Sequence, residues 1–253
     1  MEKMKTVAIV LAAGQGRRMQ TDIPKQYLLL QGKPVLYYTL KSFEQSPVDE
    51  IMITAGKTDL KYVQHEIVDK YNFQKVSKIV EGGKERYHSV HLALQEIVAA
   101  DYVLIHDGAR PFVTEDIIRR MMEELSEHPA VIAGMPVKDT IKTVNDKRQV
   151  IDTPDRSSLW QIQTPQAFWF APIKRAYEEI MQWENIAVTD DAMVWESVMD
   201  CHLAQGYTKE NDTVFGQRLG DKVLLTEGSY ENIKITTPED MLFGESLLRN
   251  RDG

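Results

Sequence analysis

Five short apolar runs separated by amphipathic segments of helical period constrain this chain more than any other feature. Thr6 to Leu11, Glu50 to Thr54, Val76 to Glu81, Tyr102 to His106 and Val131 to Met135 read as strands. Pro34 to Gln45, Asp59 to Tyr71, Tyr87 to Val98 and Thr114 to Ser126 read as helices, with Pro34 at a first helical position and Thr114 as an N-cap. Repeated βα units of this kind build an α/β fold, a mostly parallel sheet with helices on both faces. From Pro136 to Gln163 the pattern changes to two extended segments joined by the polar tip NDKRQ, which predicts a protruding arm. Thr237, Pro238, Glu239 and Asp240 supply a cap, a helix-starting proline and two acids suited to a helix N-terminus, so a last helix starts there. With 253 residues, 43% of them hydrophobic, one large core suffices. The expected organisation is a single domain over 1–253, with 137–158 as the arm.

Charge narrows the function. The formal net charge is -8, so no overall positive field draws polymeric nucleic acid, and a phosphate site has to come from a local cluster of cations. The single cysteine, Cys201, forms no disulfide within the chain, and the apolar stretch in MEKMKTVAIVLAAG is too short for a signal peptide or membrane anchor. A cytoplasmic protein without a membrane or nucleic-acid partner is expected. His65 and Glu66 lack the second histidine of a zinc-protease motif, and no third ligand joins His88 and His91, so a structural metal is not expected.

The local cluster lies in LAAGQGRRM, Leu11 to Met19, directly after the first strand. That is the carboxyl edge of the sheet, where open α/β folds place their ligands. Gly14 and Gly16 admit an anion close to backbone N–H groups, and Arg17 and Arg18 add charge. A dinucleotide fingerprint needs a glycine where Met19 stands, and the Gly-Lys-Ser/Thr of a P-loop is absent. Pro24 stiffens the approach to Lys25, a second phosphate ligand candidate, with Gln26 beside it.

LAAGQGRRM followed by PKQYLLLQGKPVLYYTL resembles the start of the cytidylyltransferase family of the methylerythritol phosphate pathway. GGKERYHSV, HDGARPF, VKDTIKTV, DRSSLWQIQTPQAF, TDDAM and NIKITTPEDM resemble further blocks of that family, in the same order over nearly the whole chain. The resemblance implies a Rossmann-like fold with a protruding β-arm that dimerises. It implies transfer of CMP from CTP to 2-C-methyl-D-erythritol 4-phosphate, with Mg²⁺ as cofactor.

The same resemblance assigns residues. Arg18 and Lys25 fall on the catalytic positions. Ala12, Ala13, Gly14, Gly16, Gly82, Gly83, Ser89 and Asp107 fall on nucleotide-binding ones, and Asp107 is also the metal candidate. Thr140, Arg156 and Lys234 fall on positions that hold the acceptor's phosphate, Thr140 and Arg156 reaching the neighbouring subunit's site. Taken without the family, Asp107 is as well suited to pairing with Arg110 and Lys234 to an exposed strand. Two departures stand out: Lys84, where the family commonly carries aspartate, and a stretch over 198–222 that is longer than the family pattern. A ribitol 5-phosphate cytidylyltransferase is the alternative enzyme, and a CTP-binding module without turnover the alternative outside catalysis.

Overall fold

The computed structural model describes residues 4–14 and 23–251. The first half comprises β1 (Thr6–Ala12), the short pair β2 (Leu29–Leu30) and β3 (Lys33–Pro34), α1 (Val35–Gln45), β4 (Glu50–Ala55), α2 (Leu60–Tyr62), β5 (Val76–Glu81), α3 (Arg86–Glu96) and β6 (Tyr102–Asp107). There follow α4 (Glu115–Glu124), β7 (Ala130–Pro136), β8 (Thr143–Val144), β9 (Val150–Asp152), β10 (Trp160–Trp169), α5 (Phe170–Ile180), α6 (Asp191–Ala204), β11 (Leu224–Glu227) and α7 (Pro238–Arg251).

Seven strands form the central sheet in the order β11-β7-β10-β6-β1-β4-β5, and β10 alone among them runs antiparallel to its neighbours. The alternation of side chains in β1 separates two cores. Val7 and Ile9 face a layer containing Val90 and Leu94 of α3, Ile173 and Tyr177 of α5, and Trp195 of α6. Ala8 and Val10 face Leu36 and Leu40 of α1, Ile67 after α2, and Ile117 and Met121 of α4. Each large aliphatic or aromatic side chain so buried contributes about 1.5–3 kcal/mol relative to exposure. Thr114 caps α4 by accepting from the Ile117 N–H at 3.3 Å, as its sequence position predicts.

The five expected strands are all present, most of them one residue longer than the apolar run suggests. Pro34 differs from expectation: it takes the N-cap position with ψ 144°, and the helix begins at Val35. The helix expected over Asp59 to Tyr71 becomes a π-helix over Val63–Asp69. Lys234 lies in no strand. Strands β10 and β11 and helix α5 are elements that apolar periodicity does not announce. In the polar WQIQTPQ half of β10, Gln163, Thr164 and Gln166 are buried and each finds a hydrogen-bond partner: Gln163 in the loop of Ser229 and Asn232, Thr164 on β6 and Gln166 at the start of α6.

Beyond β7 the chain forms a hairpin, in which β8 and β9 pair antiparallel before the chain returns through β10 against β7. Arg148, at φ 59°, turns the tip. Ile141, Val144, Val150 and Ile151 are exposed along it.

Candidate active site

The carboxyl ends of β1, β4 and β6 border a cavity of about 550 Å³, within the usual range for a small-ligand pocket. Four cationic side chains, Lys25, Lys84, Arg86 and Lys234, line it against two acids, Glu85 and Asp107. In a chain with an overall charge of -8 this is the local reversal that a polyphosphate requires. A larger hollow of about 820 Å³ lies over α5, away from this edge, and Arg175 there faces Glu178, Glu179 and Asp212. Its acid excess and location make it the poorer phosphate site.

One wall comes from the turn after β1. The buried Gln26 amide donates to the carbonyls of Ala12 at 2.6 Å and Gly14 at 3.1 Å, so the segment that starts at Lys25 is stapled to the start of the glycine loop. The opposite wall comes from the turn between β5 and α3. Ser89 Oγ accepts from the Gly83 N–H at 3.0 Å and donates to the Glu85 carbonyl at 3.3 Å, which holds the backbone of Gly83 at the rim.

Asp107, the last residue of β6, forms the floor. Lys234 Nζ lies 2.7 Å from its Oδ2 and Arg86 Nε 3.2 Å from its Oδ1, with Arg110 Nε at 4.0 Å. Burial alone would raise the carboxyl pKa, but Arg86 and Lys234 outweigh it and hold the group far below the usual carboxylate range. Asp107 is therefore ionised at every physiological pH. The pairing with Arg110 that the sequence allows is the weakest of the three contacts.

The neighbouring His106 is buried, and burial pushes its pKa down to about 3. The neutral ring sits between the Arg110 carbonyl, 3.2 Å from Nε2, and Thr164 Oγ1, 3.1 Å from Nδ1. Nε2 therefore carries the proton, and Thr164 donates to Nδ1 while accepting from the Asp107 N–H at 3.0 Å. This relay fixes the backbone of Asp107 from the β10 side. Lys234 is brought in by its own loop: Arg110 donates to the Asn232 carbonyl at 2.8 Å, Asn232 to the Thr164 carbonyl at 2.9 Å, and the Ile235 N–H to the Ala109 carbonyl at 2.8 Å.

The family model for 2-C-methyl-D-erythritol 4-phosphate cytidylyltransferase (IspD) matches residues 6–202. The chain belongs to this family. A relative of that name from Lachnospira eligens is 47% identical over 96% of this chain and 98% of its own, and one from Lachnoclostridium phytofermentans is 43% identical over 97% of both. Among solved structures, the 4-diphosphocytidyl-2C-methyl-D-erythritol synthase of Anaerococcus prevotii superposes with a TM-score of 0.79 at 32% identity, covering 97% of this chain and 96% of that one.

The residues that the resemblance to the cytidylyltransferase family singles out divide into four groups. Ala13, Gly14, Lys25, Gly83, Ser89, Asp107 and Lys234 line one cavity. Ala12 and Gly82 lie just behind it, Ala12 through its carbonyl to Gln26 and Gly82 packed on Ala13. Thr140 and Arg156 do not line it: both are exposed on the arm, where Arg156 donates to the Lys138 carbonyl at 2.8 Å. Gly16 and Arg18 lie outside the described residues.

Two functional-site residues escape the sequence reading. In sequence Gln26 is only the neighbour of Lys25, and its signal is burial of a polar side chain, which no sequence pattern carries. Arg86 lies within the GGKERYHSV block but is marked by nothing local. Its guanidinium grips Asp191 through both terminal nitrogens, at 2.8 and 2.7 Å, a partner 105 residues away. Burial opposes the charge on Arg86, and Asp191 followed by Asp107 outweighs it, so its pKa is raised.

Proposed function

We propose that the chain transfers CMP from CTP to 2-C-methyl-D-erythritol 4-phosphate, giving 4-diphosphocytidyl-2-C-methyl-D-erythritol and pyrophosphate. The observation that carries this reading is the four-cation cavity at the carboxyl edge of the sheet, in a chain of the cytidylyltransferase family. An acceptor phosphate oxygen attacks the α-phosphorus of CTP, the bond to the β-phosphate oxygen breaks, and pyrophosphate leaves with that electron pair. The acceptor is largely a dianion at neutral pH, since the second pKa of a phosphate monoester is about 6, so no general base is needed. Catalysis is then charge neutralisation and alignment, the roles proposed for Arg18 and Lys25 at the phosphates and Lys234 at the acceptor. The peptide groups of Gly82 and Gly83, shaped by Ser89, would read the cytosine edge.

Magnesium is proposed as the cofactor. No group of three or more His, Cys, Asp or Glu side chains able to hold a metal occurs among the described residues, and Asp107 is the acid on the floor of the cavity. That donor set fits an ion carried in on phosphate oxygens, with Asp107 as its protein ligand. When bound, such an ion neutralises phosphate charge.

A homodimer joined through the arm is proposed on the exposed Ile141, Val144, Val150 and Ile151, because an isolated two-stranded hairpin is marginal and leaves its edges unpaired. Thr140 and Arg156 would then complete the partner's acceptor site. Among the described residues no helix is long and apolar enough to cross a membrane, and a cytoplasmic location is proposed. Pyrophosphate release tests the activity, with CTP and Mg²⁺ in the presence of methylerythritol phosphate, ribitol phosphate or no acceptor. Release with methylerythritol phosphate alone is expected. Release only with ribitol phosphate would transfer the assignment to the alternative enzyme, and release with neither would overturn it.

A further inference from the structure

Behind the cavity lies a buried polar chain that the proposed chemistry does not use. Asp191, the first residue of α6, has no exposed surface, and its carboxylate accepts two bonds from Arg86 and one from the Tyr177 hydroxyl at 2.6 Å. The backbone N–H groups of Asp191 and Ala192 both donate to Gln166 Oε1 at 2.9 Å, which pins the start of α6 to β10. Neither Asp191, Tyr177 nor Gln166 lines the cavity. Arg86 does line it, with its side chain 25% exposed, and its Nε holds Asp107 Oδ1.

We propose that Arg86 is a positioning residue for the transfer, aligned from behind by Asp191 and Tyr177, and that it acts by fixing the Asp107 carboxylate against which Lys234 is set. The inference rests on the proposed reading of this cavity as the site of CMP transfer. The division of labour at Asp107 supports it: Oδ1 belongs to Arg86 and Oδ2 to Lys234, so the carboxylate plane has two fixed ends. Without the first end the carboxylate turns freely, and the ammonium of Lys234 loses its reference point. A lysine would not replace this arginine, because three of the five guanidinium N–H groups are used in a planar fork that an ammonium does not reproduce. Stability alone is a poor reason for the arrangement, since a buried ion pair often contributes little against apolar residues of the same volume. The same arginine stands in the first turn of α3, three residues before Ser89, so it also ties the wall that holds Gly83 to the floor at Asp107. Misplacement of a reacting group by about 1 Å costs roughly 10²-fold in rate, which sets the scale of the effect.

The test uses Tyr177→Phe, Asp191→Asn, Arg86→Lys and the double variant Arg86→Lys/Asp191→Asn in the full chain. For each, kcat and both KM values are measured by pyrophosphate release and normalised to folded protein from thermal melts. Tyr177→Phe keeps the ring in the core and removes one hydroxyl, so it reports even where the charge variants fold poorly. Expected are a fall in kcat of about threefold to tenfold for Tyr177→Phe with the CTP KM within twofold, and about 10²-fold for Arg86→Lys. The double variant is expected to be no slower than the worse single one, because the residues act as one unit. Tyr177→Phe and Arg86→Lys with kcat within twofold of wild type, or losses that vanish on normalisation to folded protein, would overturn the proposal. Absence of pyrophosphate release from the wild type would instead overturn the functional reading on which it rests.

Discussion

Gly82 packs so closely on Ala13 that a β-carbon added to it would lie 2.2 Å from the Ala13 β-carbon and 3.1 Å from Ser89 Oγ. Real β-carbons do not approach so near, and neither neighbour is the tip of a long side chain able to swing aside. The contact therefore locks together the two turns, after β1 and after β5, that form opposite walls of the cavity. Gly82→Ala is expected to cost about 1–3 kcal/mol of stability, as overpacking generally does. It should also raise the dissociation constant for CTP at least about tenfold, the walls having been pushed apart. Titration calorimetry beside a denaturant melt checks both, and CTP affinity unchanged from wild type would show that the walls move independently.

Selectivity for the base is expected to favour CTP over UTP strongly. A backbone group that accepts from the cytosine amino group is left without a partner when uracil binds, and such a loss typically costs about 1–3 kcal/mol, roughly fivefold to 150-fold in kcat/KM. Lys84, at the rim beside Gly83, is the departure from the family pattern. Similar kcat/KM for the two nucleotides would identify Lys84 as having altered the reader, and Lys84→Asp should then restore the preference.

Lys25 lines the cavity and Arg156 stands on the arm, so the two positions allow the sharing of sites between subunits to be measured. Lys25→Ala and Arg18→Ala are each expected to lower kcat about 10²-fold or more, as removal of a transition-state charge partner does. Equal amounts of Lys25→Ala and Arg156→Ala protein, mixed and allowed to exchange subunits, should recover about one quarter of wild-type activity. Half of randomly formed dimers pair the two variants, and each such dimer carries one intact site of two. No recovery after exchange, verified by a tagged subunit, would place Arg156 in its own chain's site.

The long segment after α6 is fastened by a buried histidine. His202 bonds through Nδ1 to Asp212 and through Nε2 to Glu179 at 2.7 Å, with Tyr207 stacked on its ring and Phe215 at its edge. Burial alone would lower its pKa, but the bonds to Asp212 and Glu179 outweigh this and raise it above the ordinary 6.5. Asp212 shifts the other way: burial would raise it, and the bonds from His202 and from the backbone of Phe215, Gly216 and Val214 bring it below 3.8. A raised histidine stabilises the fold fully below its unfolded pKa and loses that contribution as pH rises through the folded one; a lowered aspartate does so above its unfolded pKa. The clasp is thus strongest between about pH 4 and 6.5 and weakens on the alkaline side. Chemical denaturation of wild type and His202→Gln at pH 6 and pH 9 should show a stability gap that is wider at pH 6. A gap that is constant or wider at pH 9 would mean that the ring is neutral in the folded protein.

What the sequence determined is what short-range periodicity encodes. Val7 to Leu11 is apolar throughout because both faces of β1 are covered, Thr114 caps α4 because its hydroxyl reaches a backbone N–H three residues on, and Gly14 follows the strand at the edge of the cavity. The family blocks singled out Lys25, Ser89, Asp107 and Lys234, which the fold brings to one cavity. Tertiary structure decided the rest. β10 is a strand because the chain comes back from the arm between β6 and β7, where Gln163, Thr164 and Gln166 find partners; apolar periodicity does not announce these polar residues around Pro165 as part of the sheet. Lys234 reads as a lysine on an exposed strand until the Asn232 loop lays it on Asp107, and Arg86 reads as one more charge before a helix until Asp191 arrives from 105 residues away. An electrostatic partner is chosen by distance in space, at the strength that burial gives it, and neither quantity is written in the spacing of residues along a chain.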